Sequence, residues 1–226
     1  MLLSFKNVFF SYDSKKDVLK NISFEVKDGE KIALLGLNGS GKSTLMLHMN
    51  GILLPSKGEV KFKNIDTRDK NIIEIRKGVG IVFQNPDDQL FMPTVKDDVA
   101  FGPRNMNIRE EEVSLRVENA LKATNTFDLA NSSPLDLSGG QKKSVSIATI
   151  LSMSPELIVM DEPTSGLDYE ATENFKDIVR SFEQSYIIST HDIELAKELC
   201  ERAIILDKGE IIYDGSIKEI NYPPEK

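Results

Sequence analysis

Gly36-Leu37-Asn38-Gly39-Ser40-Gly41-Lys42-Ser43-Thr44 follows directly on the apolar run Ile32-Ala33-Leu34-Leu35, and Thr44-Leu45-Met46-Leu47-His48-Met49 runs on behind it. The spacing is G-x-x-x-x-G-K-[ST], set between a buried-strand candidate and a helix candidate, which is the context this phosphate cradle requires. Glycines let the backbone turn tightly and bring its N–H groups close to phosphate oxygens, and the helix N-terminus adds positive potential. Gly36, Asn38, Gly39, Ser40, Gly41, Lys42, Ser43 and Thr44 are therefore the expected nucleotide-binding residues. Lys42 is expected on the β- and γ-phosphates, and the Ser43 hydroxyl on Mg²⁺. A plain glycine turn before an ordinary helix would not need lysine and serine in register. The spacing predicts a nucleoside triphosphate site.

The bulk numbers bound the rest. A chain of 226 residues is long enough for one large α/β domain, with room for an inserted lobe. Apolar residues make up 40% and charged residues 28%, the balance of an ordinary globular core and surface. The net charge of −8 leaves no broad basic face for nucleic acid, where phosphate neutralisation dominates affinity. No apolar run approaches the roughly 18–20 residues that cross a bilayer. Met1-Leu2-Leu3-Ser4-Phe5-Lys6 lacks a charged segment followed by an apolar one, so secretion is not expected. Cys200 is the one cysteine, which excludes an internal disulfide and fits a reducing cytosol. It falls in the helical pattern Ile193, Ala196, Leu199, Cys200 and reads as a small core residue.

Residues 2–12 alternate loosely, and Ile22-Ser23-Phe24-Glu25-Val26 alternates cleanly before Asp28-Gly29 turns the chain toward 31–35. Gly58-Glu59-Val60-Lys61-Phe62 and Val79-Gly80-Ile81-Val82-Phe83 read as further strands. Gln84 to Arg104 is polar and broken by prolines. From Ile108 the period becomes helical, with Val113, Val117, Ala120 and Leu121 on one face and Glu110, Glu111 and Glu112 in the first turn. Ser138 precedes a helical run through Leu151. Strand patterns return at 157–160, 186–189 and 203–206, then at 211–213 after Gly209, with helix candidates at 170–182 and 192–200. This alternation predicts a mostly parallel sheet covered by helices. A single domain over 1–226 is expected, its core formed by 1–85 and 153–226 and a helical subdomain inserted at about 86–152.

Leu157-Ile158-Val159-Met160-Asp161-Glu162 is a hydrophobic strand ending in two carboxylates, which it would deliver to the C-terminal edge of the sheet. Asp161 is expected to hold Mg²⁺, directly or through water, and Glu162 to polarise the attacking water. Leu137-Ser138-Gly139-Gly140-Gln141 is by physics alone a serine-capped helix start. Together with the phosphate loop and Asp161-Glu162 it resembles the signature motif of ATP-binding cassette (ABC) ATPases, and the resemblance extends over essentially the whole chain. It implies a P-loop NTPase fold of α/β class: a RecA-like mixed sheet, an N-terminal antiparallel β-part and a helical subdomain. It also implies ATP hydrolysis with ATP and Mg²⁺ as cofactors. Tyr12 is similar to the aromatic that stacks on adenine, and Gln84 to the glutamine that links Mg²⁺ and water to a transport partner. Asp168, in Ser165-Gly166-Leu167-Asp168, resembles the loop that crosses the dimer interface. His191 resembles the histidine at the γ-phosphate, whereas His48 reads as packing or surface. Two cassettes would stack head to tail, so that Ser138, Gly139, Gly140 and Gln141 of one meet the ATP of the other.

Gln84-Asn85-Pro86-Asp87-Asp88-Gln89-Leu90-Phe91 and Asp98-Val99-Ala100-Phe101-Gly102-Pro103 narrow the resemblance to the energy-coupling factor (ECF) importers. Those take up vitamins or transition-metal ions such as cobalt and nickel. The implied partners are a second ABC ATPase, identical or different, an integral membrane coupling subunit and a substrate-binding membrane subunit, with no nucleic acid. The implied place is the cytoplasmic face of the membrane, held through those partners. Leu90, Phe91 and Met92 would form an apolar docking surface. Two features depart from the pattern. Lys142-Lys143-Ser144 stands where many relatives carry an arginine, which puts helix packing or one composite site in doubt. The chain stops at Lys226 soon after Tyr222-Pro223-Pro224, where ECF ATPases often continue. A soluble ABC ATPase and an exporter subunit are the competing readings.

Overall fold

The computed structural model describes residues 1–13 and 16–220, so Tyr222-Pro223-Pro224 and Lys226 lie outside the described residues. In chain order the first elements are β1 (Leu3–Phe10), β2 (Leu19–Val26), β3 (Lys31–Leu35) and α1 (Lys42–Met49). There follow β4 (Lys57–Phe62), β5 (Ile65–Asp66), α2 (Ile72–Gly78), β6 (Val79–Val82), α3 (Val95–Asn105), α4 (Glu110–Ala123) and α5 (Gly139–Leu151). The rest are β7 (Leu157–Asp161), α6 (Tyr169–Arg180), β8 (Ser185–Ser189), α7 (Ile193–Leu199), β9 (Arg202–Asp207) and β10 (Glu210–Ser216). Two compact units form: Met1–Val79, Glu156–Asp161 and Glu183–Lys226 in one, Gly80–Pro155 and Glu162–Phe182 in the other.

The first unit holds two sheets. An antiparallel sheet of order β2-β1-β4-β5 alternates buried and exposed positions, with Phe5 stacked on Phe24 at 4.7 Å. In the second sheet the order is β10-β9-β3-β8-β7, and β9, β3, β8 and β7 run parallel. Here β3 and β8 are buried nearly throughout, the unbroken apolar pattern of strands covered on both faces. Arg202 ties the two sheets together. Its guanidinium donates to both Asp214 carboxylate oxygens at 2.6 and 2.8 Å, to Glu30 Oε2 at 2.9 Å, and to the Glu25 carbonyl of β2 at 2.8 Å. Planar, bidentate pairing of this kind is among the stronger charge-assisted arrangements.

The second unit is mainly helical. Leu90, Val95, Val99, Ala120, Leu121, Leu137, Val145 and Ala148 make its core, where α3, α4 and α5 meet. The sequence reading placed the insertion at about 86–152 and left 170–182 with the core. The compact unit of the structure runs from Gly80 and includes α6, which packs on α5: a Cβ on Gly140 would lie 2.7 Å from that of Ala171.

Helix α3 occupies much of the stretch read as polar and proline-broken. Its entry is signalled by Thr94, whose side chain accepts from the Asp97 N–H, and its oddity is Pro103 inside the last turns. Proline removes the N–H that would bond the carbonyl four residues back. Here Ser152 Oγ donates to that carbonyl, Val99 O, at 2.8 Å instead.

Replacing Arg202 by Met should lower the unfolding free energy by about 1–3 kcal/mol, since Glu30 and Asp214 keep their charges without the partner. Urea unfolding of the two proteins checks this, and an unchanged midpoint would contradict it.

Candidate functional site

In the first unit, sheet register gathers the expected residues on one edge. Leu34 of β3 lies opposite Ser189 of β8, and Ser189 lies opposite Asp161 of β7. The strands are parallel, so their C-terminal ends leave the sheet together. Beyond that level follow the loop from Gly36 and Thr190-His191, with Asp161 at the end of β7. Parallel strands put ligands at this edge. The Thr190 N–H donates to Leu34 O at 3.2 Å, which carries the pairing one residue past the strands.

The loop itself has the form of a cradle. Gly36 has φ of 151°, and a Cβ there would sit 2.3 Å from the Leu206 carbonyl oxygen, so the position admits only glycine. Gly41 opens α1 with φ of 108° and no side-chain cap, which leaves the first N–H groups of the helix for a ligand. Asn38, Gly39 and Ser43 are exposed, whereas Ser40, Lys42 and Thr44 are buried. Lys42 Nζ donates to Gly36 O at 2.7 Å. Its ammonium therefore lies over the loop, where the β- and γ-phosphates are expected.

Tyr12 stands at the same helix start. Its hydroxyl is 3.0 Å from Thr44 Oγ1, Phe10 meets its ring edge-on at 4.9 Å, and the residue stays 64% exposed. That leaves aromatic surface for a base to stack on. His48 is fully buried, bonded through Nδ1 to Thr44 O at 2.7 Å and edge-on to Phe10 at 4.7 Å. Burial pushes its pKa down, and of the two readings, packing or surface, the structure shows packing. His191 is exposed.

Among the described residues, Asp161 Oδ1 is buried and accepts no hydrogen bond. A buried carboxylate oxygen left in that state suits a hard divalent cation, so Asp161 and the exposed hydroxyl of Ser43 fit Mg²⁺. Glu162 is nearly buried and adopts φ of 40°, a left-handed conformation that costs a non-glycine residue about 1–3 kcal/mol.

In the second unit α5 opens with a full capping box. Ser138 Oγ accepts from the Gln141 N–H at 3.3 Å, and Gln141 Oε1 accepts from the Ser138 N–H at 2.9 Å. A cavity of about 300 Å³ adjoins it, lined in part by Ser138, Gly140, Ser144, Asp168 and Asn174. Asp168 caps α6 by accepting from the Ala171 N–H at 2.8 Å. Lys143 and Ser144, in the run that departs from the family pattern, both make polar contacts. Ser144 Oγ accepts from Asn174 Nδ2 at 3.2 Å, and buried Lys143 donates to the Phe83 and Gln84 carbonyls at 3.0 and 2.8 Å.

Gln84 is exposed just past β6. Farther along that loop Phe91 is 64% exposed and packs edge-on against Phe101 at 5.0 Å, an apolar feature open to solvent. Leu90, expected beside it on that surface, is buried in the helical core. Asp98 enters the sequence analysis only as the first residue of the Asp98–Pro103 run, with no role of its own. Its Oδ1 accepts from the Phe91 and Met92 N–H groups at 3.0 and 3.1 Å, while Oδ2 is buried without a hydrogen bond among the described residues. Alternation of polar and apolar residues gives no hint of this, since Asp97 beside it is an ordinary first-turn acid.

A family model described as "ABC transporter" matches residues 19–165. The energy-coupling factor transporter ATP-binding protein EcfA of Methanocaldococcus jannaschii is 50% identical over 95% of this chain and 79% of its own length. Among solved structures, cbiO1 of Clostridium perfringens, described as part of the ABC transporter complex cbiONQ, superposes with a TM-score of 0.87. It is 40% identical, over 96% of this chain and 89% of its own. A dimeric ATP-binding cassette in a post-hydrolysis state, bound to ADP and Pi, has a TM-score of 0.84 and 29% identity, over 97% of this chain and all of its own.

Burial pushes the Asp98 carboxyl up, with the Asp97 charge adding to it. The unfolded chain therefore ionises first as pH rises, the native state keeps its proton longer, and stability falls with rising pH across that interval. Asp98→Asn keeps an acceptor and cannot ionise. Its stability relative to the native sequence should rise as pH increases from the ordinary aspartate range, as thermal unfolding over a pH series will show. A pH-independent difference would contradict this.

Proposed function

From the premise that this chain belongs to the ABC transporter family and is an ATPase of the EcfA type, we propose that it powers a membrane importer of the energy-coupling factor kind. The cargo class would be a transition-metal ion such as cobalt or nickel, or a vitamin. The cassette would work at the cytoplasmic face of the membrane beside a second ABC ATPase, a membrane coupling subunit and a substrate-binding membrane subunit.

One observation carries the chemistry: Leu34, Ser189 and Asp161 stand level across parallel strands, so the phosphate loop, Asp161 and the His191 segment share one edge of the sheet. In this reading Tyr12 stacks on the adenine, and the loop N–H groups from Gly36 to Thr44 hold the phosphates. Lys42 exchanges the Gly36 carbonyl for phosphate oxygens. Ser43, Gln84 and Asp161 would hold Mg²⁺, which when bound neutralises phosphate charge. Glu162 takes the proton of the attacking water, and His191 contacts the γ-phosphate. Ser138, Gly139, Gly140 and Gln141 serve the ATP of the partner cassette, with Asp168 between the two. The exposed Phe91, beside Met92 and Phe101, supports a docking role for this loop toward the membrane subunit.

Removing the base in Glu162→Gln should lower kcat by roughly 10²–10⁴-fold with ATP affinity unchanged. Steady-state hydrolysis and fluorescent-nucleotide titration check both halves. The same variant, tagged and recovered with MgATP from detergent-solubilised native membranes, should bring a polytopic coupling subunit and a small membrane binding subunit. Recovery of soluble or ribosomal partners alone would refute the importer reading and leave the hydrolysis result standing.

A further inference from the structure

Lys143 is 2% exposed on the signature helix α5, and lysine is seldom buried so deeply without a reason. An ammonium out of water is costly unless hydrogen-bonded. Lys143 Nζ meets that cost by donating to two consecutive carbonyls, Phe83 O at 3.0 Å and Gln84 O at 2.8 Å, just past the end of β6. A methionine would fill much the same volume without any desolvation cost, so packing does not account for the charge. What the charge adds is a fixed place for the backbone at 83–84.

A second fastener acts on Phe83 through its N–H. Gln89 Oε1 accepts from the Phe83 N–H at 3.1 Å, and Gln89 Nε2 donates to Ser146 O at 2.8 Å and Thr149 Oγ1 at 2.7 Å. Lys143, Ser146 and Thr149 follow one another at three-residue steps, along one side of α5. Lys142 reaches Asp87 at 2.7 Å, but Asp87 is well exposed and that pair contributes little. The loop is therefore stitched along the helix whose first residues form the Ser138–Gln141 capping box.

We propose that Lys143 is a positioning residue for ATP hydrolysis: it fixes the Gln84 backbone to α5, so that the loop and the signature motif move as one piece. The proposal rests on the reading of Gln84 as the residue serving metal and water. It adds the element that sets where Gln84 stands. Whatever displaces the Gln84–Phe91 loop must then displace Ser138–Gln141, and the coupling is reciprocal.

The test uses the full chain carrying Lys143→Met, with Lys143→Gln, which keeps an N–H donor on a shorter arm, should the first fail to fold. Amide hydrogen exchange of the nucleotide-free protein is read at 83–89 and elsewhere, beside kcat, the KM for ATP and the melting temperature. Loss of the fastener should speed exchange at 83–89 by about tenfold and leave the rest of α5 and the phosphate loop unchanged. It should lower kcat by about tenfold at an ATP KM within about twofold of native. In a cycle with Gln84→Ala, the double variant should be no slower than the slower single one, because both changes disable the same element. Exchange that is unchanged at 83–89, or faster throughout with a collapsed melting temperature, would overturn the proposal, as would additive losses. If Gln84→Ala alone has native kcat, the Gln84 reading fails. The exchange at 83–89 then still decides whether Lys143 holds the loop.

Discussion

The site depends first on a register. Parallel strands can end level only if their ladders are in step, and here Leu34, Ser189 and Asp161 sit opposite one another across β3, β8 and β7. A slip of one residue would turn every side chain on a strand to the other face. It would also carry Asp161 away from the loop that follows Leu35. The register is held by β3 and β8, buried nearly along their lengths, where a slip would expose or strand apolar side chains. Packing energy in the sheet thus sets the geometry of charged groups beyond its edge.

Those charged groups sit in conformations that isolated chains avoid. Glu162 holds φ of 40° directly after the strand, and Gly36 allows an approach to Leu206 O that no Cβ permits. Lys42 spends its ammonium on the Gly36 carbonyl, within the loop it serves. Such local costs persist because the surrounding sheet and α1 over-determine them. Buried neutral His48 contributes to that support, joining Phe10 of β1 to the Thr44 carbonyl at the base of Tyr12.

Much of this was legible in the sequence. The strands at 31–35, 157–161 and 185–189 announce themselves as apolar runs, and the phosphate loop, Asp161-Glu162 and Ser138–Gln141 lie at fixed spacings. Helix α3 was hidden because Pro103 breaks its propensity, and Ser152, far along the chain, supplies a donor in place of the missing one. The packing of α6 on α5 is a tertiary fact with no local signal. The role of Lys143 had no local signal, since the carbonyls it meets are some sixty residues away in sequence. Local pattern reveals elements and motifs. Polar contacts distant in sequence decide how those are held.

A crystal structure of the Glu162→Gln chain with MgATP would test the account most directly. It should show triphosphate inside the loop from Gly36 to Thr44, adenine on Tyr12, and Lys42 Nζ moved from the Gly36 carbonyl onto phosphate oxygens. Nucleotide bound elsewhere, or Lys42 still on Gly36 with a triphosphate in the loop, would contradict it.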